Sequence, residues 1–228
     1  MAATTRNTSR ERLEAKESAI LDAAEQIFCK AGFDGAKISD ISGAASVAEG
    51  TVYLYYHNKQ DLLTAVVARF WTQLTLGAEA VIDTEASPAE QLEQLAGYHL
   101  KTLLDQFEIV SLTYRERPQQ EQSLDQVRDY VRIFDRVMQR GIDRNVLPNG
   151  MMIRQLRDVF FGTLEFSART LKLRDQPYDH SIVTNLLALI IGQSRSDTAV
   201  SVDKEPSNKD LMSVLESIRD QLDDTTTD

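Results

Sequence analysis

Residues 47–63 read VAEGTVYLYYHNKQDLL, with three tyrosines inside four positions. On a helix, residues four apart share a face. With Val52 as an inward anchor, Tyr56 falls on its side, while Thr51, Tyr53, Leu54 and Tyr55 point elsewhere. Tyr56 is therefore expected to be buried, with a hydroxyl that needs a partner or an exit to water. Tyr53 and Tyr55 are expected to present outward hydroxyls able to donate to phosphate oxygens. The same spacing also suits an ordinary exposed helix face. Asn58 can cap the next helix, with Asp61 at its third position. Lys59, at the head of that helix, suits a phosphate contact by charge and helix dipole.

Working outward, a short helix is predicted over Ile38–Ala45 and another over Ala48–Tyr55. Small apolar residues (Ile41, Ala44, Ala45, Val47, Val52) let the two cross closely at a steep angle, as a helix-turn-helix requires. A longer helix precedes them. Apolar residues recur at helical spacing from Leu13 through Ile20, Ala24, Ile27 and Phe28 to Ala31, and Gly32 supplies the stop. Residues 1–10 are expected to be a disordered basic arm, so the helix-turn-helix domain spans 11–57.

Helices follow without a strand pattern. One runs from Asn58 toward Ile82. Another opens at Ser87-Pro88-Ala89-Glu90, which has a cap serine, a proline at the first helical position and glutamate at the third. It ends near Leu104. Further helices are expected through Val110 to Arg115, from about Gln119 to Asn145, from about Met151 to Lys172, and from the Asp179 cap to Gly192. Residues 58–193 form the expected helical ligand-binding and dimerisation domain. A linker and an extra amphipathic helix (Leu211, Leu215, Ile218, Leu222) occupy 194–228. The expected class is all-α: an N-terminal three-helix helix-turn-helix domain plus a C-terminal helical domain.

Net charge is −10, which argues against a non-specific polyanion binder. The first 62 residues carry only −2 of it, so a local DNA-facing surface remains open. A single cysteine, Cys29, on the apolar face of the first helix, suits a core position and a reducing cytoplasm. The longest apolar run, LLALII at 186–191, is too short to cross a bilayer, and no secretory signal is seen. His99 and His180 lack partners at metal-ligand spacing, and no phosphate-binding glycine motif or nucleophile elbow occurs. No metal, no cofactor and no enzymatic activity are expected.

The stretch from Ile20 to Val67, including ILDAAEQIFCKAGFDGAKISDIS and VAEGTVYLYYHNKQDLL, resembles the DNA-binding domain of the TetR family of transcriptional regulators. That resemblance implies a homodimer on a palindromic double-stranded DNA operator. It places DNA-facing positions at Lys37, Ser39, Thr51, Tyr53, Tyr55, His57 and Lys59. Ser46 stands where a turn glycine is usual, Ala48 where a cap serine is common, Glu49 where lysine is common, and Lys37 where threonine is common. A non-glycine at 46 is expected to cost about 1 kcal/mol if its backbone is left-handed.

In the C-terminal half, Phe107, Tyr114, Tyr130, Phe134, Phe160, Phe161 and Phe166 fit plain core or the lining of an apolar cavity. Glu165 and Arg169 sit one turn apart, as a surface pair or a polar stop inside a pocket. The broad apolar faces of FFGTLEF and IVTNLLALII suit pairing with a second copy. TYRERPQQEQSLDQVRDYVRIFDRVMQRGI and FFGTLEFSARTLKLRDQPYD are similar to the FadR-type, fatty-acid-degradation regulators within TetR. That similarity implies a repressor of fatty acid metabolism genes released by a long-chain acyl-CoA. Candidate ligand-binding residues are Phe107, Tyr114, Phe134, Phe160, Phe161 and Arg169. Arg115, Arg117, Arg132, Arg136 and Arg140 are further partners for phosphates. The alternatives are a TetR-type repressor of efflux or catabolic genes sensing another hydrophobic molecule, and an acyl-CoA-binding or scaffold module that no longer reads DNA.

Overall fold

The structure, a computed structural model, describes residues 2–115, 121–147 and 152–192, with backbone alone at 2–9, 114–115 and 121–124. Among the described residues there are nine helices and no strand. They are α1 (Ala2–Gly35), α2 (Ile38–Ala44), α3 (Glu49–Tyr55), α4 (Lys59–Val81), α5 (Pro88–Asp105), α6 (Phe107–Arg115), α7 (Glu121–Asp143), α8 (Ile153–Leu173) and α9 (Ser181–Gly192). The all-α class is as expected. The extra amphipathic helix and its linker lie outside the described residues, as do Pro118 and part of the turn after α7.

One expectation fails at the start of the chain. The helix begins at Ala2, not Glu11, so the backbone of 2–10 is helical where a disordered arm was expected. No glycine or proline interrupts the chain between 2 and 31, and good helix formers run straight through the join. Arg10 Nε also donates to Glu14 Oε1, one turn on, at 2.7 Å. Gly32 is where the helix breaks. Its φ of 70° is open to glycine at no steric cost, and a further turn then carries the chain to Gly35.

The turn between α2 and α3 is built from backbone bonds. Val47 N–H donates to Ser42 O (3.0 Å) and Ser46 N–H to Gly43 O (3.1 Å). Closing it requires Ser46 at φ 55°, the left-handed conformation. Ile41 and Val52, both fully buried, pin the two helices together.

Asn58 caps α4 through a bond from Asp61 N–H (2.8 Å). From there a continuous stripe of Leu62, Leu63, Val66, Val67, Phe70, Leu74 and Ala78 is buried. The helix packs on α1, α5, α6 and α7. Arg69, halfway along, ties α4 to α1 through Asp22 (2.6 Å) and Glu25 (2.7 Å). Gly77 lets α5 approach, because any Cβ there would run into the Tyr98 ring. The expected capping box of α5 is complete. Glu90 N–H donates to Ser87 Oγ, and Glu90 accepts from Ser87 N–H at 2.8 Å. Helix α5 then packs against α4, α6, α7, α8 and α9, which makes it the axis of the C-terminal bundle.

Replacing Ser46 by glycine removes the left-handed penalty at that residue but adds chain entropy to the unfolded state. Ser46→Gly is expected to raise unfolding free energy by up to about 1 kcal/mol. A urea midpoint that moves up at constant slope checks this; an unmoved or lowered midpoint shows that the turn holds no strain.

Candidate nucleic-acid interface and effector cavity

Helix α3 is held by its inner face. Val52 is fully buried and Tyr56 nearly so. The Tyr56 hydroxyl finds the partner it needs in Glu17 of α1, to which it donates at 3.3 Å. Burial first, and the Glu17 carboxylate second, push its pKa well above the usual phenol value. On the outer side, Tyr53 is about half exposed and Leu54 is 84% exposed. Lys37 and Ser39 are exposed at the start of α2, His57 is exposed in the turn to α4, and Thr51 is half-buried.

Two expected DNA-facing residues are instead committed within the protein. Tyr55 is three residues on from Val52, close enough to the buried face for its ring to lean toward α1. Its hydroxyl donates to the carbonyl of Leu13 at 3.2 Å rather than pointing freely outward. The Lys59 ammonium donates to the carbonyls of Ala36 (2.9 Å) and Asp34 (3.4 Å) and lies 4.7 Å from the Phe33 ring centroid. Those carbonyls end α1, where unpaired oxygens concentrate partial negative charge. Spacing along the chain could not show partners 42 and 23 residues away.

Glu49 finds an internal reason. Ala48, the N-cap of α3, offers no side-chain bond, and Glu49 places a carboxylate in that first turn. There it stabilises the helix dipole. Leu54 had been placed off the buried face without a role. A bare, exposed apolar side chain on a reading helix suits contact with a thymine methyl. Its only sequence signal was a large apolar residue out of phase with the core.

In the C-terminal bundle, three expected cavity residues fill a core instead. Phe134 and Phe160 pack at 4.8 Å between ring centroids, and Phe160 and Phe161 at 5.1 Å. Tyr130 lies 5.4 Å from Phe161 and 6.0 Å from Trp71. The spaces between α4, α5, α7 and α8 are thus occupied by rings, which gain by offset and edge-on packing. Phe107 and Arg169 do line a cavity, of about 300 Å³, between α5, α6 and α8. Leu103, Val110 and Leu173 supply its apolar wall, and Glu165 faces it too. The Glu165–Arg169 pair is therefore at a pocket. Lys172 stands beside it, its ammonium 5.9 Å from the Phe107 ring centroid. The side chain of Tyr114 lies outside the described residues, as do Arg117 and the side chain of Arg115.

The remaining arginines are distributed elsewhere. Arg140 donates to Gln91 (2.7 Å), Arg132 pairs with Asp129 (2.6 Å) and Arg136 with Glu79 (2.9 Å). Arg132 and Arg136 face a wide, shallow depression of about 750 Å³ along α4, α7 and α8. A neighbouring cavity of about 540 Å³ is lined by Ile82, Ile133 and Val137, with Arg136 and Arg140 on its wall as well. Among the described residues no three His, Cys, Asp or Glu side chains gather as a metal site. No described helix is long and apolar enough to cross a membrane.

His99 was assigned no role beyond exclusion as a metal ligand, yet it sits inside the ring cluster. It is buried, 5.0 Å edge-on from Phe161 and stacked 5.5 Å from Tyr130. Its Nδ1 bonds the Tyr130 hydroxyl at 2.7 Å. Burial among rings pushes its pKa down to about 3.

Residues 20–66 match the family described as bacterial regulatory proteins, tetR family, and 71–193 that described as YsiA-like protein, C-terminal region. The chain belongs to the TetR family of transcriptional regulators. As a TetR-family member it is a DNA-binding regulator, not an enzyme. It is 29% identical over 178 residues to the fatty acid metabolism regulator protein of Bacillus subtilis, covering 75% of this chain and 92% of that one. The crystal structure of the transcriptional regulator FadR from Bacillus subtilis in complex with stearoyl-CoA superposes with a TM-score of 0.65. It is 26% identical and covers 76% of this chain and 97% of that one. The fatty acid degradation regulator FadR from Bacillus halodurans gives a TM-score of 0.68 at 25% identity, covering 77% and 94%.

Two outcomes follow for this TetR protein. Lys37→Ala should weaken DNA binding and reduce the slope of log affinity against log salt by about 1. Lys59→Ala should leave that slope alone and lower the unfolding midpoint, because its ammonium serves α1. Salt titrations of DNA binding, paired with urea melts, separate the two; a flattened slope in Lys59→Ala restores the phosphate contact. The second outcome concerns acid. His99 is neutral in the fold down to about pH 3, but takes a proton near 6.5 once unfolded. Stability is therefore full above 6.5 and falls as pH drops from there toward 3. Between pH 7 and 4.5 the wild type should lose roughly 2–3 kcal/mol more than His99→Gln. Equal losses would show that His99 titrates normally.

Proposed function

We propose that this protein is a homodimeric repressor of fatty acid metabolism genes, acting in the cytoplasm and released from a palindromic operator by long-chain acyl-CoA. The observation that carries the proposal is the position of α6. Phe107, Val110 and Ser111 of α6 line the 300 Å³ cavity, and the same short helix packs on α1 of the reading head. A molecule that enlarges the cavity presses on α6 and, through it, on the DNA-binding unit. The cavity suits an amphiphile: an apolar wall of Leu103, Phe107 and Val110, with the cationic side chains of Arg169 on it and Lys172 beside it. The stearoyl-CoA bound by the Bacillus subtilis relative supports that choice of effector.

Dimerisation is supported by Val159, Phe166 and Leu173, exposed apolar residues spaced seven apart on α8, with Leu189 exposed on α9. A stripe of that kind on one helix face calls for a partner, and a second copy supplies a matching one. Two reading heads at fixed separation then address two half-sites one helical turn or its multiple apart. Release requires acyl-CoA to bind more tightly to the conformer whose heads no longer match that spacing.

A footprint on DNA flanking its own gene should show two protected half-sites related by a dyad. Micromolar stearoyl-CoA should then abolish protection while coenzyme A alone leaves it intact. Protection that survives acyl-CoA but is lost with an unrelated hydrophobic compound points to a repressor of efflux or catabolic genes. Absence of any protected site at moderate salt leaves only the ligand-binding module.

A further inference from the structure

The ring cluster holds one polar atom with nothing to bond. His99 is 2% exposed, and its Nε2 is buried without a hydrogen-bond partner. Tautomer counting says what that atom is. If Nδ1 carried the proton, it would donate to the Tyr130 oxygen, leaving both the Tyr130 hydroxyl proton and the Nε2 lone pair unmatched. If Tyr130 donates to Nδ1, only Nε2–H is unmatched, and the neutral ring is fully accounted for. The second arrangement leaves fewer groups stranded, so Nε2–H is a donor aimed away from Tyr130. A buried donor left without an acceptor is costly, and native structures keep few of them.

The place of this donor matters as much as its state. Leu103 is one helical turn beyond His99 on α5, and Glu165 one turn beyond Phe161 on α8; both line the 300 Å³ cavity. The His99–Phe161 contact, neither residue of which lines the cavity, therefore lies one helical turn from the cavity wall on both helices. The cavity's volume is at the low end of the roughly 300–1,000 Å³ usual for small-molecule sites. A long chain must continue past that contact into space now filled by Phe134, Phe160 and Phe161.

We infer that His99 determines effector specificity by donating from Nε2 to an uncharged acceptor, the thioester carbonyl of an acyl-CoA, at the junction between cavity and ring cluster. This rests on the acyl-CoA reading above. The order of groups is consistent with it: phosphates outside near Arg169 and Lys172, carbonyl at the base, hydrocarbon beyond. A free fatty acid fits poorly. Its carboxylate would be desolvated among rings and would face Glu165, a like charge on the same cavity.

The test compares stearoyl-CoA with S-octadecyl-CoA, the thioether that lacks the carbonyl, on the full chain. Trp71, the single tryptophan, packs on Tyr130 and reports binding by its fluorescence. The wild type should bind the thioester about tenfold more tightly than the thioether. His99→Leu should bind both alike, and His99→Gln, which keeps a donor, should recover part of the preference. A merely structural role for His99 would weaken both ligands equally and leave their ratio unchanged, which overturns the inference. An equal affinity of the wild type for both also overturns it while leaving acyl-CoA as the effector. If neither ligand binds, the acyl-CoA reading fails first and this inference with it. Should His99→Leu not fold, proton spectra of wild-type protein carrying isotope-labelled histidine decide. The Nε2–H signal must move downfield with stearoyl-CoA and stay put with the thioether; movement with neither overturns the donor.

Discussion

The buried stripe of α4 runs through one continuous core that joins the reading head to the C-terminal bundle. Leu62, Leu63, Val66 and Val67 follow directly on the reading head, and Phe70, Leu74 and Ala78 lie inside the C-terminal bundle. Close-packed interiors transmit displacement and do not absorb it gradually. A shift or turn of α4 at one end of this core must therefore be accommodated at the other. Asn58 fixes where the helix starts, and Arg69 locks its middle to Asp22 and Glu25 of α1. With α6 as a second strut onto α1, the reading head has two rigid connections to the effector domain and no slack linker between them.

The bundle as it stands is filled by a ring cluster that lies one helical turn from a cavity of about 300 Å³. That suits a protein whose ligand-free and ligand-bound states differ in packing. Aromatic pairs of this kind hold one arrangement well but have others of similar energy, because edge-on and offset geometries are both favourable. A chain inserted among Phe134, Phe160 and Phe161 would exchange ring–ring contact for ring–chain contact, at a small net change in apolar burial.

Much of this was legible before any coordinates. Helix starts at Asn58 and Ser87 were visible because a cap acts on residues two or three positions away. The inward role of Val52 and Tyr56 was visible because period alone assigns a face. The strain at Ser46 was visible as a missing glycine. What escaped were partners distant in sequence. Tyr55 and Lys59 read as phosphate contacts until the carbonyls of Leu13 in α1 and of Ala36 just past its end came into view. Phe134, Phe160 and Phe161 read equally as lining or filling, since helical spacing tells which way a ring points but not whether a cavity is there to meet it. His99 carried no signal at all: its meaning depends on Tyr130, thirty-one residues on.

The reading head has a consequence for how the protein tells one DNA sequence from another. One lysine at its edge is held internally by α1, Glu49 adds a negative charge at the head of α3, and the chain as a whole carries −10. Sequence-independent affinity for DNA comes from cations that displace counterions. In the first 62 residues Arg6, Arg10, Arg12, Lys16, Lys30 and Lys37 remain for that role beside nine carboxylates, so base contacts must carry a larger share of the discrimination than charge does.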